Sequence, residues 1–267
     1  EEILNNKSKK MKNFSLPVVD VVIPNYNKGK YLKSCLESVL KQSYKKWKII
    51  IVDDNSSDSS TNILKKYNKN KKIKIIYLKK NKGPSFCRNL AIKNSKNSYI
   101  AFLDSDDTWK YNKLYEQLTY MVRNKYNFTY SDYCTYYERD KKILKKNCTN
   151  LKNSFNYEEF IVNSSINSST MILKKKIIKG IKFKKLSLLE DYIFKCQILK
   201  RKYTAKKINQ VLAYYRVYED NRSNNKFNNL LFLWRVNKKH NKLNFLRNLK
   251  SLISISFNSI KKYHLQK

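Results

Sequence analysis

Short apolar runs alternate with amphipathic stretches through the first half of the chain. Val18–Ile23, Lys48–Val52, Ile73–Leu78 and Tyr99–Leu103 are runs of strand length with apolar residues on both faces, the pattern of strands buried from both sides. Between them, Lys30–Gln42 sets Leu32, Cys35, Leu36, Val39 and Leu40 at helical spacing. Ser57 or Ser59 is placed to cap a helix running to about Tyr67. Gly83-Pro84 opens a helix over Ser85–Asn94, and a further helix is predicted over Lys110–Arg123. Strands alternating with helices of this length predict right-handed βαβ units and a parallel sheet. In such open sheets ligands bind beyond the carboxyl ends of the strands, so that is where functional residues are sought.

The second half is less regular. Strands are predicted at Phe128–Tyr130 and around Cys134–Leu144, the latter as part of a hairpin, then at Thr170–Leu173, Ala205–Ile208 and Leu212–Arg216. Helices are predicted over Tyr157–Asn163 and Leu189–Arg201. From Asn228 onward the pattern is helical, basic and amphipathic, interrupted near His240-Asn241; Leu231, Trp234, Leu243, Leu246, Leu249, Ile253 and Phe257 can share apolar faces. Such helices either pack on their own domain or lie in a membrane interface.

At 267 residues the chain is one large domain or two small ones, and 41% hydrophobic content excludes wholesale disorder. The five cysteines are scattered, form no C-x-x-C, and predict reduced, intracellular thiols without a zinc site. Residues 1–16 are polar and Lys-rich and are predicted as a disordered or extraneous tail rather than a secretory signal. No run approaches the ~20 apolar residues of a transmembrane helix. The net charge of +38 suggests an anionic partner. Only 8 of the 58 basic residues are Arg, however, whereas a nucleic-acid reader favours Arg for bidentate contacts. The joint abundance of Lys, Asn, Ile and Tyr, all with A/T-rich codons, accounts for the charge without a nucleic-acid partner. One reading of this charge is a basic nucleic-acid- or membrane-surface-binding protein that catalyses no reaction.

Acidic residues change the picture. Of only 20, five (Asp53, Asp54, Asp104, Asp106, Asp107) fall just after the second and fourth predicted strands. Packed carboxylates repel unless a cation or hydrogen-bond donors compensate them. Asp104 and Asp106, spaced D-x-D on one tight loop, suit Mg2+ or Mn2+ with a diphosphate completing the shell; a turn that caps the next helix is the plainer alternative.

The segments VDVVIPNYNKGKYLKSCLESVLKQSY, IIIVDDNSSDSS, KNKGPSFCRNLAI and YIAFLDSDDTW resemble, in order and spacing, the family 2 nucleotide-sugar glycosyltransferases of bacterial surface polysaccharide biosynthesis. NSSTMILKK, SLLEDYIFKCQIL and LAYYRV fit that family's acceptor-side half. The resemblance implies an α/β GT-A fold: a Rossmann-like, mostly parallel central sheet flanked by helices. Its nucleotide-binding half would span 17–127, its acceptor half 128–225, and a C-terminal helical extension 226–267. It implies transfer of a sugar, with inversion, from a nucleoside-diphosphate donor (UDP-linked by preference) to a glycan or lipid-linked acceptor. A divalent metal, Mn2+ or Mg2+, would assist, and the setting would be cytoplasmic with possible contact to the inner-membrane surface.

Residue by residue, the resemblance puts Pro24, Asn25 and Tyr26 against the nucleotide base and Asp54 on its ring NH, with Asp53 holding the loop. Gly83 and Arg88 come from a G-x-x-x-x-R-N stretch near the base or diphosphate. Asp104, with Ser105 beside it, would contact ribose and support the metal, and Asp106 would ligate it directly; Asp107 would cap the next helix. Glu190 and Asp191 match the family's acidic pair, with Asp191 as general base at a helix N-terminus. Where relatives often carry His or Gly before this pair, the chain has Leu189. Tyr215 and Arg216 resemble a pair that closes over the diphosphate, Arg222 and Ser223 a loop that orders with donor, and Ser169 and Thr170 the acceptor-side lining.

Overall fold

The computed structural model describes residues 15–139, 142–217 and 226–264. Arg222, Ser223 and all but the end of the predicted tail lie outside these residues; Leu16, assigned to the tail, packs against the core. The strands are β1 (Val19–Asn25), β2 (Trp47–Asp53), β3 (Ile73–Tyr77), β4 (Tyr99–Phe102), β5 (Thr108–Trp109), β6 (Phe128–Arg139), β7 (Lys142–Cys148), β8 (Ser154–Phe155), β9 (Ile172–Lys174) and β10 (Ala205–Val217). The helices are α1 (Gly29–Leu40), α2 (Ser60–Lys65), α3 (Pro84–Asn94), α4 (Lys113–Arg123), α5 (Tyr157–Ile161), α6 (Glu190–Lys200), α7 (Lys226–Val236) and α8 (Phe245–His264).

All ten strands join one sheet in the order β3-β2-β1-β4-β9-β6-β10-β5, with β7 on β6 and β8 on β10. The apolar runs of β1, β2 and β4 are buried on both faces and pair in parallel, as their composition requires. The second half mixes antiparallel pairs (β4–β9, β6–β9, β5–β10) with the parallel β6–β10 pair. One core cluster, built on Phe102, Phe128 and Phe194, receives α3, α6, α7 and the inner side of α8. The other, built on Ile23, Leu36 and Leu118, receives α1 and α4.

Four local readings are corrected. The strands predicted at Ala205–Ile208 and Leu212–Arg216 are one strand, β10, bulged between Ile208 and Ala213, so the polar Asn209-Gln210 pair looked like a break. The helix predicted from Lys110 begins at Lys113, because Thr108–Trp109 is drawn into the sheet against β10. Neither Ser57 nor Ser59 caps α2 through its side chain; the Asp58 carboxylate accepts from the Ser60 and Gly29 amides. Cys134 and Cys148, expected as free thiols, face each other across the β6–β7 hairpin and form a disulfide, whereas Cys35, Cys87 and Cys196 are buried and free.

Because β2 and β4 flank β1, successive connections leave β1 in opposite directions, and a crevice opens at the carboxyl ends of the three strands. Both Asp-rich loops lie on this edge.

Candidate active site

A cleft of about 670 Å³ occupies that edge. Pro24, Asn25, Tyr26, Asp54, Gly83, Arg88, Asp104, Ser105, Asp106 and Glu190 line it; Asp53, Asp191 and Arg216 do not. A larger groove of about 900 Å³ beside α3 is rimmed by lysines and includes no carboxylate and none of the predicted site residues.

The register of β1 on β2 sets Asn25 beside Asp53. The Asp53 carboxylate accepts from Asn25 Nδ2 and Ser56 Oγ, each at 2.7 Å, and from the Ser56 amide at 3.1 Å, so Asp53 holds the loop, as expected. Asp54 turns the other way. Its two oxygens accept from the Lys82 and Gly83 amides, each at 2.7 Å, tying β2 to the entry of α3. Gly83 sits at φ +84°, a conformation that a Cβ would strain. A carboxylate offers about four lone-pair sites, so Asp54 retains acceptor capacity toward the cleft. Tyr26 presents its ring on the wall with 47% of its surface exposed. Close packing of the two loops depends on Gly29, where a Cβ would lie 2.1 Å from Ser59 Oγ.

At the end of β4, Arg88 is buried and bridges two carboxylates, donating to Asp104 Oδ1 at 2.7 Å and Glu190 Oε1 at 3.4 Å. Burial opposes its charge, but Asp104 and Glu190 more than compensate and hold the guanidinium firmly protonated. Asp106 pairs with Lys28 at 3.1 Å. Burial raises the Asp106 carboxyl above its ordinary range, Lys28 pulls it back and Asp104 pushes it up again.

Asp107 does not cap the next helix. It is fully buried, accepts from Ser169 Oγ at 2.5 Å and from the Arg216 amide at 3.1 Å, and burial beside Asp106 and Asp104 pushes its carboxyl well up. Ser169 Oγ also accepts from the Asp104 amide, and the Ser169 carbonyl accepts from Trp109 Nε1. Ser169 thus braces the D-x-D turn from behind rather than lining an open acceptor side. Thr170 is likewise buried, its carbonyl accepting from Lys113 and Gln117. Arg216 lies between the rings of Tyr31 and Tyr136 (4.4 and 4.7 Å) and donates to the Asp106 carbonyl. It supports the turn from outside the cleft, whereas Tyr215 reaches the cleft itself.

Leu189, in the left-handed region at φ 60°, delivers the chain into α6. Glu190 then points at Arg88 with 9% of its side chain exposed, while the Asp191 side chain is 34% exposed. Asp191 accepts from Lys195 Nζ at 2.7 Å, from Ser168 Oγ at 3.2 Å and from the Tyr192 amide at 2.8 Å. Burial alone would raise its pKa; Lys195, assisted by Arg88, overrides that and brings it down to about 2. Lys28, Ser168 and Lys195 were missed in the sequence. Each is an ordinary residue type there, and the two lysines are among 50.

A divalent cation fits this donor set on physical grounds. Asp104 and Asp106 put hard carboxylate oxygens on one turn. No group of three or more His, Cys, Asp or Glu that could hold a metal occurs among the described residues, so a bound diphosphate would have to complete the shell. Two buried cleft atoms, Arg88 Nε and Asn25 Oδ1, have no hydrogen-bond partner, as expected where a polar ligand belongs.

The profile of the family described as "Glycosyl transferase family 2" matches residues 20–206. The chain is 32% identical to the putative teichuronic acid biosynthesis glycosyltransferase TuaG of Bacillus subtilis, over 92% of this chain and 97% of that one. It is 37% identical to the UDP-Glc:alpha-D-GlcNAc-diphosphoundecaprenol beta-1,3-glucosyltransferase WfaP of Escherichia coli, over 81% and 84%. Among solved structures, S. aureus TarS 1-349 with UDP-GlcNAc superposes with a TM-score of 0.69 at 18% identity, covering 91% of this chain and 73% of that one. Mannosyltransferase PcManGT from Pyrobaculum calidifontis, with GDP-Man and Mn2+, gives 0.66 at 12% identity, covering 100% and 83%. These two establish the GT-A fold. With the profile spanning most of the chain and relatives aligned nearly end to end, the protein is a glycosyltransferase and belongs to glycosyl transferase family 2.

Proposed function

We propose that this enzyme transfers a sugar from a UDP-sugar to a hydroxyl of a polyprenyl-diphosphate-linked saccharide, at the cytoplasmic face of a membrane where a surface polysaccharide is assembled. The observation that carries this is the convergence of Asp54, Arg88, Asp104 and Asp106 on one cleft, with the Glu190-Asp191 pair at its edge. Relatives whose printed names specify a UDP-glucose donor and a diphosphoundecaprenol-linked acceptor support the choice of donor and acceptor.

In this reading the exposed Tyr26 ring stacks on the base and Asp54 accepts its ring NH. The Arg88 cation, fixed between Asp104 and Glu190, faces the diphosphate. Asp104 and Asp106 would hold the divalent cation, which when bound stabilises negative charge on the leaving diphosphate. Lys28, already beside Asp106, adds a second positive charge there. The acceptor oxygen forms its bond to the anomeric carbon as the bond to the diphosphate oxygen breaks. UDP leaves with that electron pair, the hydroxyl proton passes to Asp191, and the configuration inverts. Asp191 is the more accessible of the two acids and stays ionised across the working pH range. Glu190 is a positioning residue, acting through Arg88.

The test is transfer from radiolabelled UDP-glucose to a synthetic lipid-diphosphate N-acetylglucosamine acceptor with Mn2+. Wild type should yield an inverted product, and Asp191→Ala should abolish transfer while retaining UDP affinity and a cooperative thermal transition, at a Tm lowered by the loss of the Lys195 counter-ion. Full activity in Asp191→Ala would overturn the base assignment.

A further inference from the structure

The C-terminal helices are amphipathic in an unusual way. α8 uses one side to dock on the protein. Ser251 Oγ donates to the Ile161 carbonyl at 2.5 Å, Asn248 Nδ2 donates to the Trp234 carbonyl at 3.1 Å, and Leu252 and Ile255 pack on the core. The opposite side is also apolar. Phe245, Leu246, Leu249, Ile253 and Phe257 are 66, 74, 40, 61 and 66% exposed. At about 100° per residue they form a stripe roughly 120° wide along a helix about 30 Å long. Phe245 meets Trp234 edge-on, and Ile253 and Phe257 rim a groove with Phe155 and Val162, yet most of each side chain stays exposed, so packing within the domain does not account for the stripe.

Charge indicates what covers it. Residues 226–267 carry ten Lys and Arg (Lys226, Arg235, Lys238, Lys239, Lys242, Arg247, Lys250, Lys261, Lys262, Lys267) and no Asp or Glu. Arg247 is answered by Glu158, but Lys238, Lys239, Lys242 and Lys250 are exposed around the start of the stripe. No helix among the described residues is long and apolar enough to cross a membrane. An apolar stripe bordered by cations on a helix that does not span is the signature of a segment lying in the plane of an anionic bilayer.

We infer that the outer face of α8 is a docking surface for an anionic lipid bilayer, entered by Leu246, Leu249, Ile253 and Phe257 with the neighbouring lysines on the headgroups. The surface is rigidly coupled to the catalytic helix. Tyr192, next to Asp191, donates to Asn237 Oδ1 at 2.9 Å, and Asn237 Nδ2 donates to Ser251 on α8 at 3.0 Å. The bilayer plane would thus be held at a fixed height relative to Asp191, which suits an acceptor anchored in lipid. The inference itself stands on the stripe and the charge, independently of the donor and acceptor proposed above.

The test is co-sedimentation of the full chain with phosphatidylcholine vesicles, with and without phosphatidylglycerol, alongside light-scattering mass measurement. Binding to the anionic vesicles only, weakened by about 1 M salt, is expected. Ile253→Gln and Phe257→Gln should each lower partitioning about tenfold with the thermal transition little changed, because both side chains are more than half exposed. UDP affinity should be equal in all of these proteins, which separates this result from failure of the transferase reading. Absence of vesicle binding, equal binding to neutral vesicles, or undiminished binding in both variants would overturn the proposal. So would a concentration-dependent dimer that the same variants abolish, since a second copy would then cover the stripe.

Discussion

Lys195→Met isolates the electrostatics of the proposed base. Lys195 is buried inside α6 and reaches Asp191 at 2.7 Å and the Ile166 carbonyl at 2.6 Å. Methionine keeps the unbranched stem and removes the charge. The paired Asp191 carboxyl sits at about 2, below the ordinary 3.8. Lys195 is the main cause that lowers this carboxyl against the opposing effect of burial, so its loss moves the Asp191 carboxyl upward. A base must be ionised to act, so the acid limb of kcat/KM moves upward with it. The wild type should show no limb from Asp191 above pH 4, whereas the acid limb of Lys195→Met should lie at higher pH than that of the wild type. The linkage has a matching sign. A carboxyl depressed in the folded state contributes stability above its unfolded pKa and loses it as the pH falls through about 2, so the variant forfeits that contribution at neutral pH. It also leaves the Ile166 carbonyl unpaired, at a cost of about 1–3 kcal/mol. The assay is the pH dependence of kcat/KM at saturating Mn2+ for both proteins. Superimposable acid limbs would refute the claim that Lys195 sets the charge state of the base.

Two further outcomes follow from the packing around the cleft. Arg88→Ala leaves Asp104 and Glu190 facing each other without their cation, which should cost about 3–5 kcal/mol and lower Tm by roughly 6–20 °C, read by calorimetry; an unchanged Tm would show that the bridge is not structural. Gly29→Ala sets a Cβ 2.1 Å from Ser59 Oγ and 3.0 Å from the Ser60 amide nitrogen, so the loop after β2 must shift. It should cost about 1–3 kcal/mol and weaken UDP binding measured by calorimetry, and wild-type values for both would contradict the close approach.

The parts of the site that were legible in the sequence are those that topology dictates. Apolar runs as short as Ile49–Val52 and Ile100–Leu103, bounded by turn residues, read as strands buried on both faces, and a parallel sheet puts whatever follows them on one edge. Asp53, Asp54, Asp104 and Asp106 were found that way; the structure sets Asp54, Asp104 and Asp106 on one cleft and turns Asp53 away from it into the loop. What stayed hidden depends on contacts between segments distant in sequence. Lys28 reaches Asp106 across 78 positions and Ser169 reaches Asp107 across 62; no local pattern announces either. Lys195 reads as a solvated position in a helix, yet it is buried against Asp191. Two-residue β5 carries no periodicity, and the β10 bulge breaks the alternation that would have joined its halves. The Cys134–Cys148 pair follows from hairpin register, which spacing alone leaves open.

The central claim is that the Asp-lined cleft binds a uridine diphosphate through a divalent cation. The most direct measurement is a thermal-shift panel of UDP, GDP, dTDP and CMP, each with and without Mn2+, on wild type and Asp106→Asn. Ligand bound only by the native state raises its Tm by mass action. The account predicts a Mn2+-dependent shift with UDP that Asp106→Asn removes without lowering the Tm of the ligand-free protein. No shift with any nucleotide, alongside a shift with nucleic acid, would contradict it and reduce the Asp clusters to structural turns.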